Sequence, residues 1–271
     1  MATFSFQGKE IFYREYGEGE PFIMLNGIFM STASWAPFTS SFSARRRLIL
    51  VDMFDQGRTA KMDAEYGIAL QKDLVLALLD HLELARCDML GMSYGGEVAM
   101  TLAATAPERI RKLILSNTPP YTSKWLQDIG ASWVAACEAC DGKQFFKAAI
   151  PIVYSPRFYE EHHNWMMAQE KLYEKSFNKE TFQGFLRLIR STESHDQREQ
   201  LHRITAKTLL ISAELDFLTP PYFQRDIAAR IPCATHLTIS DAGHGVMYEK
   251  PTAFASAVLG FLDEDTSLSL F

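Results

Sequence analysis

The sequence predicts an α/β fold: a mostly parallel eight-stranded sheet with helices on both faces and a helical lid inserted over one edge. Three observations predict it. Short continuous apolar runs alternate with longer stretches of helical periodicity, as expected of parallel strands buried on both faces. That rhythm stops between about residues 118 and 203, where large side chains continue without a clean buried strand. A Gly-x-Ser-x-Gly pentapeptide joins one apolar run to a helical stretch.

The elements follow in order. Thr3–Gln7 and Glu10–Tyr16 alternate as a hairpin about Gly8. Phe22–Leu25, Leu48–Val51, Asp88–Leu90, Leu113–Leu115 and Leu209–Ile211 are apolar runs of strand length, and His236–Ile239 is a weaker later one. Ile68–Leu84 sets Leu74, Val75, Leu78, Leu79 and Leu82 on one helical face. Glu97–Ala106 follows a glycine pair and stops before Pro107. Pro220–Arg230 begins with prolines suited to a first helical turn, and Thr252–Leu262 is the last helix. Residues 1–117 and 204–271 therefore form the expected core and residues 118–203 the expected cap. The cap is rich in aromatic residues, and a thin helical layer cannot bury them all internally. Several are expected to line a pocket.

Composition narrows the function. The chain has 271 residues, 27 Lys+Arg against 33 Asp+Glu and a net charge of −6. It lacks the basic field of a nucleic-acid binder. No apolar run reaches the length of a membrane span, and Met1–Lys9 has neither the basic start nor the apolar stretch of a secretory signal. The four cysteines read as reduced thiols, so a cytoplasmic location is expected. Cys137-x-x-Cys140 has metal spacing but no second ligand pair nearby, and reads as two small residues on a helix.

The informative stretch is Cys87-Asp88-Met89-Leu90-Gly91-Met92-Ser93-Tyr94-Gly95-Gly96. A serine between a strand and a helix needs a strained turn to lift its hydroxyl above the sheet edge. Gly91 and Gly95 remove the Cβ atoms that would collide there. Ser93 then stands at a helix N-terminus, whose free amides favour a developing oxyanion. Tyr94, the next residue, is one expected amide donor. A base must reach Ser93 from a loop at the same edge. Of seven histidines, His244 in Asp241-Ala242-Gly243-His244-Gly245 follows the last strand and is flanked by glycines. The acid belongs after the strand at 209–211, where both Glu214 and Asp216 are available.

With these residues the chain resembles the α/β-hydrolase family, and the resemblance covers nearly all of it. It is most similar in layout to small lidded members: carboxylesterases, 3-oxoadipate enol-lactonases and pimeloyl-carrier-protein methyl esterases. The resemblance implies the order Ser93, Asp216, His244, with Asp216 rather than Glu214 as the acid. It supports His244 through the Glu249-x-Pro251 context that follows. It implies Ile28, in Asn26-Gly27-Ile28, as the second oxyanion donor, with Asn26 where histidine is usual; enol-lactonase-like members also carry Asn there. Asp52-Met53-Phe54-Asp55-Gln56-Gly57-Arg58-Thr59 departs from the family pattern at Asp55, where glycine is usual, and at Thr59. Asp55 is expected to keep the turn, because aspartate tolerates left-handed backbone.

A serine nucleophile excludes the dehalogenase and epoxide-hydrolase relatives, which need aspartate at that position. The expectation is an ester, thioester or lactone hydrolase for a small apolar or aromatic substrate, working through an acyl-enzyme without cofactor or metal. Carbon–carbon bond hydrolysis or lyase chemistry on the same triad, and a low-turnover ligand receptor, are the alternatives. Candidates for substrate contact are Asn26, Phe29, Trp125, Trp133, Tyr154, Trp165, Phe217 and His195. The polar stretch Ser191–Asp196 around His195 also reads as a helix end or hinge.

Overall fold

The structure, a computed structural model, describes residues 2–263. Met1 and residues 264–271, the ends of the two expected core segments, lie outside the described residues. The strands are β1 Ala2–Phe6, β2 Lys9–Tyr16, β3 Glu20–Leu25, β4 Arg46–Val51, β5 Cys87–Met92, β6 Ile110–Ser116, β7 Lys207–Ala213 and β8 Ala234–Ile239. The helices are α1 Thr39–Ser43, α2 Ile68–His81, α3 Tyr94–Thr105, α4 Lys124–Glu138, α5 Gly142–Ala149, α6 Pro156–Glu161, α7 His163–Ser176, α8 Lys179–Ser191, α9 Pro221–Arg230, α10 Val246–Glu249 and α11 Pro251–Leu262.

The eight strands form one sheet in the order β1-β2-β4-β3-β5-β6-β7-β8. Pairings of β1 with β2 and of β2 with β4 are antiparallel, and the rest are parallel. Side chains of a strand alternate between its faces. Ile23, Leu25, Met89, Leu113 and Leu115 therefore pack on one face against Leu74, Leu78, Val98 and Leu102 of α2 and α3. Their neighbours Phe22, Met24, Leu90 and Ile114 pack on the other against Phe42 of α1 and Phe254 and Val258 of α11.

Five helices, α4 to α8, occupy the span between β6 and β7. Their Trp133, Phe145, Phe182, Phe185 and Leu188 are buried and continuous with the cluster beneath the sheet. Arg187 of α8 fastens them to the turn after β4: its Nε and Nη2 donate to Asp55 Oδ2 and Oδ1 at 3.0 and 2.6 Å. Asp55 holds φ +64°, so the turn keeps the left-handed residue that glycine would supply, while its carboxylate anchors an inserted helix.

Registers position the functional edge. Leu25 lies opposite Gly91, which sets the loop after β3 beside the turn after β5. Ala213 lies opposite Ile239, which sets the loops after β7 and β8 side by side. All four loops leave the carboxyl ends of parallel strands, where sheets of this kind bind ligands.

Candidate active site

Ser93 sits between β5 and α3 with φ +51° and ψ −116°, a conformation that L-residues rarely adopt. Crowding enforces it. A Cβ on Gly91 would stand 2.4 Å from the Gly95 carbonyl oxygen, and one on Gly95 would stand 2.5 Å from that of Leu25. The Ser93 amide donates to Ser116 O at 2.9 Å, and its carbonyl accepts from Gly96 and Glu97 amides and from the Thr118 hydroxyl. The backbone is thus held while the side chain faces a cavity of about 260 Å³. His244 lines the same cavity.

His244 Nδ1 lies 2.8 Å from Asp216 Oδ2. Asp216 is only 3% exposed, yet its carboxylate is saturated. Oδ1 accepts from the Leu218 and Thr219 amides at 2.9 and 2.7 Å. Oδ2 accepts from Asn117 Nδ2 at 2.7 Å and Thr219 Oγ1 at 2.8 Å. Such a charge tolerates burial because its lone pairs are matched by donors. Glu214, the alternative acid, instead accepts from the Asp241 amide at the exterior.

The His244 loop has its own brace. Glu249 accepts from the Gly243 amide at 3.0 Å and from the Ser155 amide and hydroxyl at 2.9 and 2.5 Å. The Gly245 amide donates to Val153 O at 2.8 Å. The acidic residue after the histidine therefore ties its loop to the inserted segment.

Asn26 is fully buried and does not line the cavity. Its Nδ2 donates to Val51 O at 2.8 Å and Gln56 Oε1 at 3.1 Å, and its Oδ1 accepts from Trp35 Nε1 at 2.8 Å. It organises the loop carrying Gly27 and Ile28. Ile28 lines the cavity next to Ser93, and Tyr94 begins α3, whose first amides have no intrahelical acceptor. The Tyr94 ring points away, its hydroxyl bonded to Ser191 Oγ of α8 at 2.9 Å.

Of the other expected contacts, Phe29, Trp133, Tyr154 and Trp165 line the cavity. Trp125 and Phe217 do not. Each is 50% exposed, and they meet through a hydrogen bond from Trp125 Nε1 to Phe217 O. Trp125 lies in the first turn of α4 and Phe217 in the loop after β7, where sequence offers no sign of which face is inward. His195 is buried outside the cavity and keeps Nε2 without a partner. Burial pushes its imidazole down to about 4. Its segment closes α8 and pairs with Tyr121 through Asp196, so it is a helix end. Asn117 and Thr219, both bonded to Asp216, are the residues around these groups that the sequence reading missed. Asn117, a polar residue directly after an apolar strand, was the one with a readable signal.

Among the described residues, no group of three or more His, Cys, Asp or Glu is placed to hold a metal ion. The cysteines are free: Cys137 is buried in α4 and Cys140 is exposed beyond its end. No helix among the described residues is long and apolar enough to cross a membrane.

The fold has known counterparts. The family model of the alpha/beta hydrolase fold matches residues 20–251, and the chain belongs to that family. The alpha/beta hydrolase enzyme MGS-M2, from a Medee basin deep-sea metagenome library, is 36% identical with TM-score 0.95 over 98% of both chains. The protein named "Putative carbamate hydrolase RutD" in Azorhizobium caulinodans is 26% identical over 94% of this chain and 96% of its own. The enol-lactonase of Burkholderia xenovorans LB400 shares the fold at 24% identity, with TM-score 0.85 over 96% of this chain and 99% of its own. Fold and relatives together support hydrolase activity.

Proposed function

We propose that the chain hydrolyses a small carboxylic ester, thioester or lactone through an acyl-enzyme on Ser93, beneath a cap formed by residues 118–203. The observation that carries this reading is the convergence on one cavity: Ser93 on its strained turn, and His244 held by Asp216 at 2.8 Å. His244 Nε2 takes the Ser93 proton as Oγ adds to the substrate carbonyl carbon. The Ile28 and Tyr94 amides hold the oxyanion. Collapse breaks the bond to the leaving oxygen or sulfur, which receives the proton from His244. Water then attacks the acyl-enzyme with His244 as base, releasing the acid and restoring Ser93. Asp216 fixes the ring orientation and stabilises the imidazolium.

The cavity walls support an apolar or aromatic group on the substrate. Phe29, Trp133, Phe146, Tyr154, Trp165 and Tyr248 surround it. Likeness to the carbamate hydrolase favours a second reading, in which the acyl group is a carbamoyl group and the steps are otherwise the same. Replacing Ser93 by Ala tests both. Hydrolysis of p-nitrophenyl esters and carbamates is expected to fall to background while the fold persists. Retained turnover would contradict the mechanism.

A further inference from the structure

Behind Ser93 lies a second, smaller cavity of about 60 Å³. It shares Ile28, Ser93, Trp133 and Leu218 with the first. The helix α3 contributes Glu97 to its wall. Glu97 is 6% exposed, and its Oε2 is fully buried without a hydrogen-bond partner among the described residues. Leaving a buried carboxyl unsatisfied is unfavourable, so a complement from a ligand is the natural explanation.

The two cavities divide the substrate. The larger holds His244, which must protonate the leaving atom. The smaller holds Ser93, Ile28 and Tyr94 but not His244, so it lies on the acyl side. A water needs about 10–15 Å³ by this measure, which leaves space for about four to six heavy atoms.

We propose that this cavity is the acyl subsite and that Glu97 selects a short acyl chain tipped with a neutral hydrogen-bonding group, a carboxamide above all. The inference rests on the hydrolase reading and deepens it. No Lys, Arg or His lines the cavity, so a carboxylate tip has no counterion. The hydroxyls are engaged elsewhere: Thr122 donates to Thr192 O, Thr192 to Ile189 O and Thr219 to Asp216. Burial holds the Glu97 carboxyl well above the usual carboxylate range, which favours its protonated form. A protonated carboxyl donates one hydrogen bond and accepts another, which matches a carboxamide in a two-bond pair.

Four benzyl esters test this: the succinamate, its alkyl isostere the 4-methylpentanoate, the cationic 4-aminobutanoate and the anionic hydrogen succinate. Dissociation constants are measured on Ser93→Ala protein, which requires no turnover, and kcat/KM on the wild type. The succinamate is expected to bind at least tenfold tighter than the isostere and both charged esters, with the same order in kcat/KM. Glu97→Leu is expected to erase the preference over the isostere, and Glu97→Gln to keep most of it. A ratio unchanged by Glu97→Leu, or tighter binding of the cationic ester, would overturn the subsite. A binding preference with no Ser93-dependent turnover would overturn the hydrolase reading and leave the subsite standing.

Discussion

Two buried carboxyl groups stand near Ser93, Asp216 behind His244 and Glu97 in a cavity wall, and the fold treats them in opposite ways. Asp216 receives two amides, a carboxamide, a hydroxyl and the His244 ring. Glu97 has an oxygen with nothing to bind. Saturation makes Asp216 a fixed charge that orients its neighbour. Deprivation favours the neutral form of Glu97, whose hydrogen-bonding capacity remains open to whatever enters its cavity. One carboxyl suits the chemistry and the other suits recognition, and environment alone separates them.

The contrast is sharpened first at the reacting groups. Ser93→Ala is expected to lower kcat for a p-nitrophenyl ester by at least about 10⁴-fold, and Asp216→Asn by about 10⁴-fold, because the ring loses its oriented tautomer. Steady-state kinetics with circular dichroism as a fold control would measure both. A loss below tenfold for Asp216→Asn would mean that its five bonds only build the loop.

A third buried carboxylate separates anchoring from chemistry. Asp55 and Arg187 pair with 0% and 13% side-chain exposure. Arg187→Met leaves Asp55 charged and buried, and should cost about 3–5 kcal/mol in denaturant unfolding. At 20 °C kcat/KM should change less than tenfold, since neither residue lines the cavity. A large kinetic loss with full stability would make the anchor part of the chemistry.

The smallest effect is a pH dependence. Burial raises the folded-state affinity of Glu97 for its proton, so the native protein binds more protons than the unfolded chain above the ordinary value of 4.5. Stability contributed by that proton is present below this value and is lost as pH rises towards the raised one. The slope is at most about 1.4 kcal/mol per pH unit. Glu97→Gln removes the titration, so its melting temperature relative to wild type should climb between pH 5 and pH 8. Parallel melting curves would contradict a protonated Glu97.

The strands and the turn after β5 were legible because their signals are local. Apolar runs mark buried strands, and Gly91 records a contact only four residues away, with Gly95. What escaped is long-range. Asp55 meets Arg187 across 132 positions, Asn117 meets Asp216 across 99 and Ser155 meets Glu249 across 94. No periodicity encodes such pairs. Asn26 shows the same limit: its residue type suggested a substrate contact, but only the fold reveals Val51, Gln56 and Trp35 around it. Glu97 looked like any acidic residue in a first helical turn until the cavity beside it was visible.

The central claim is that Ser93 attacks the substrate. Treatment with a fluorophosphonate, followed by intact-mass and peptide mapping, tests it without knowledge of the natural substrate. One adduct per chain on Ser93, absent from Ser93→Ala and strongly slowed in His244→Ala, is the predicted result. An adduct on another residue, or none on a folded protein, would contradict the account.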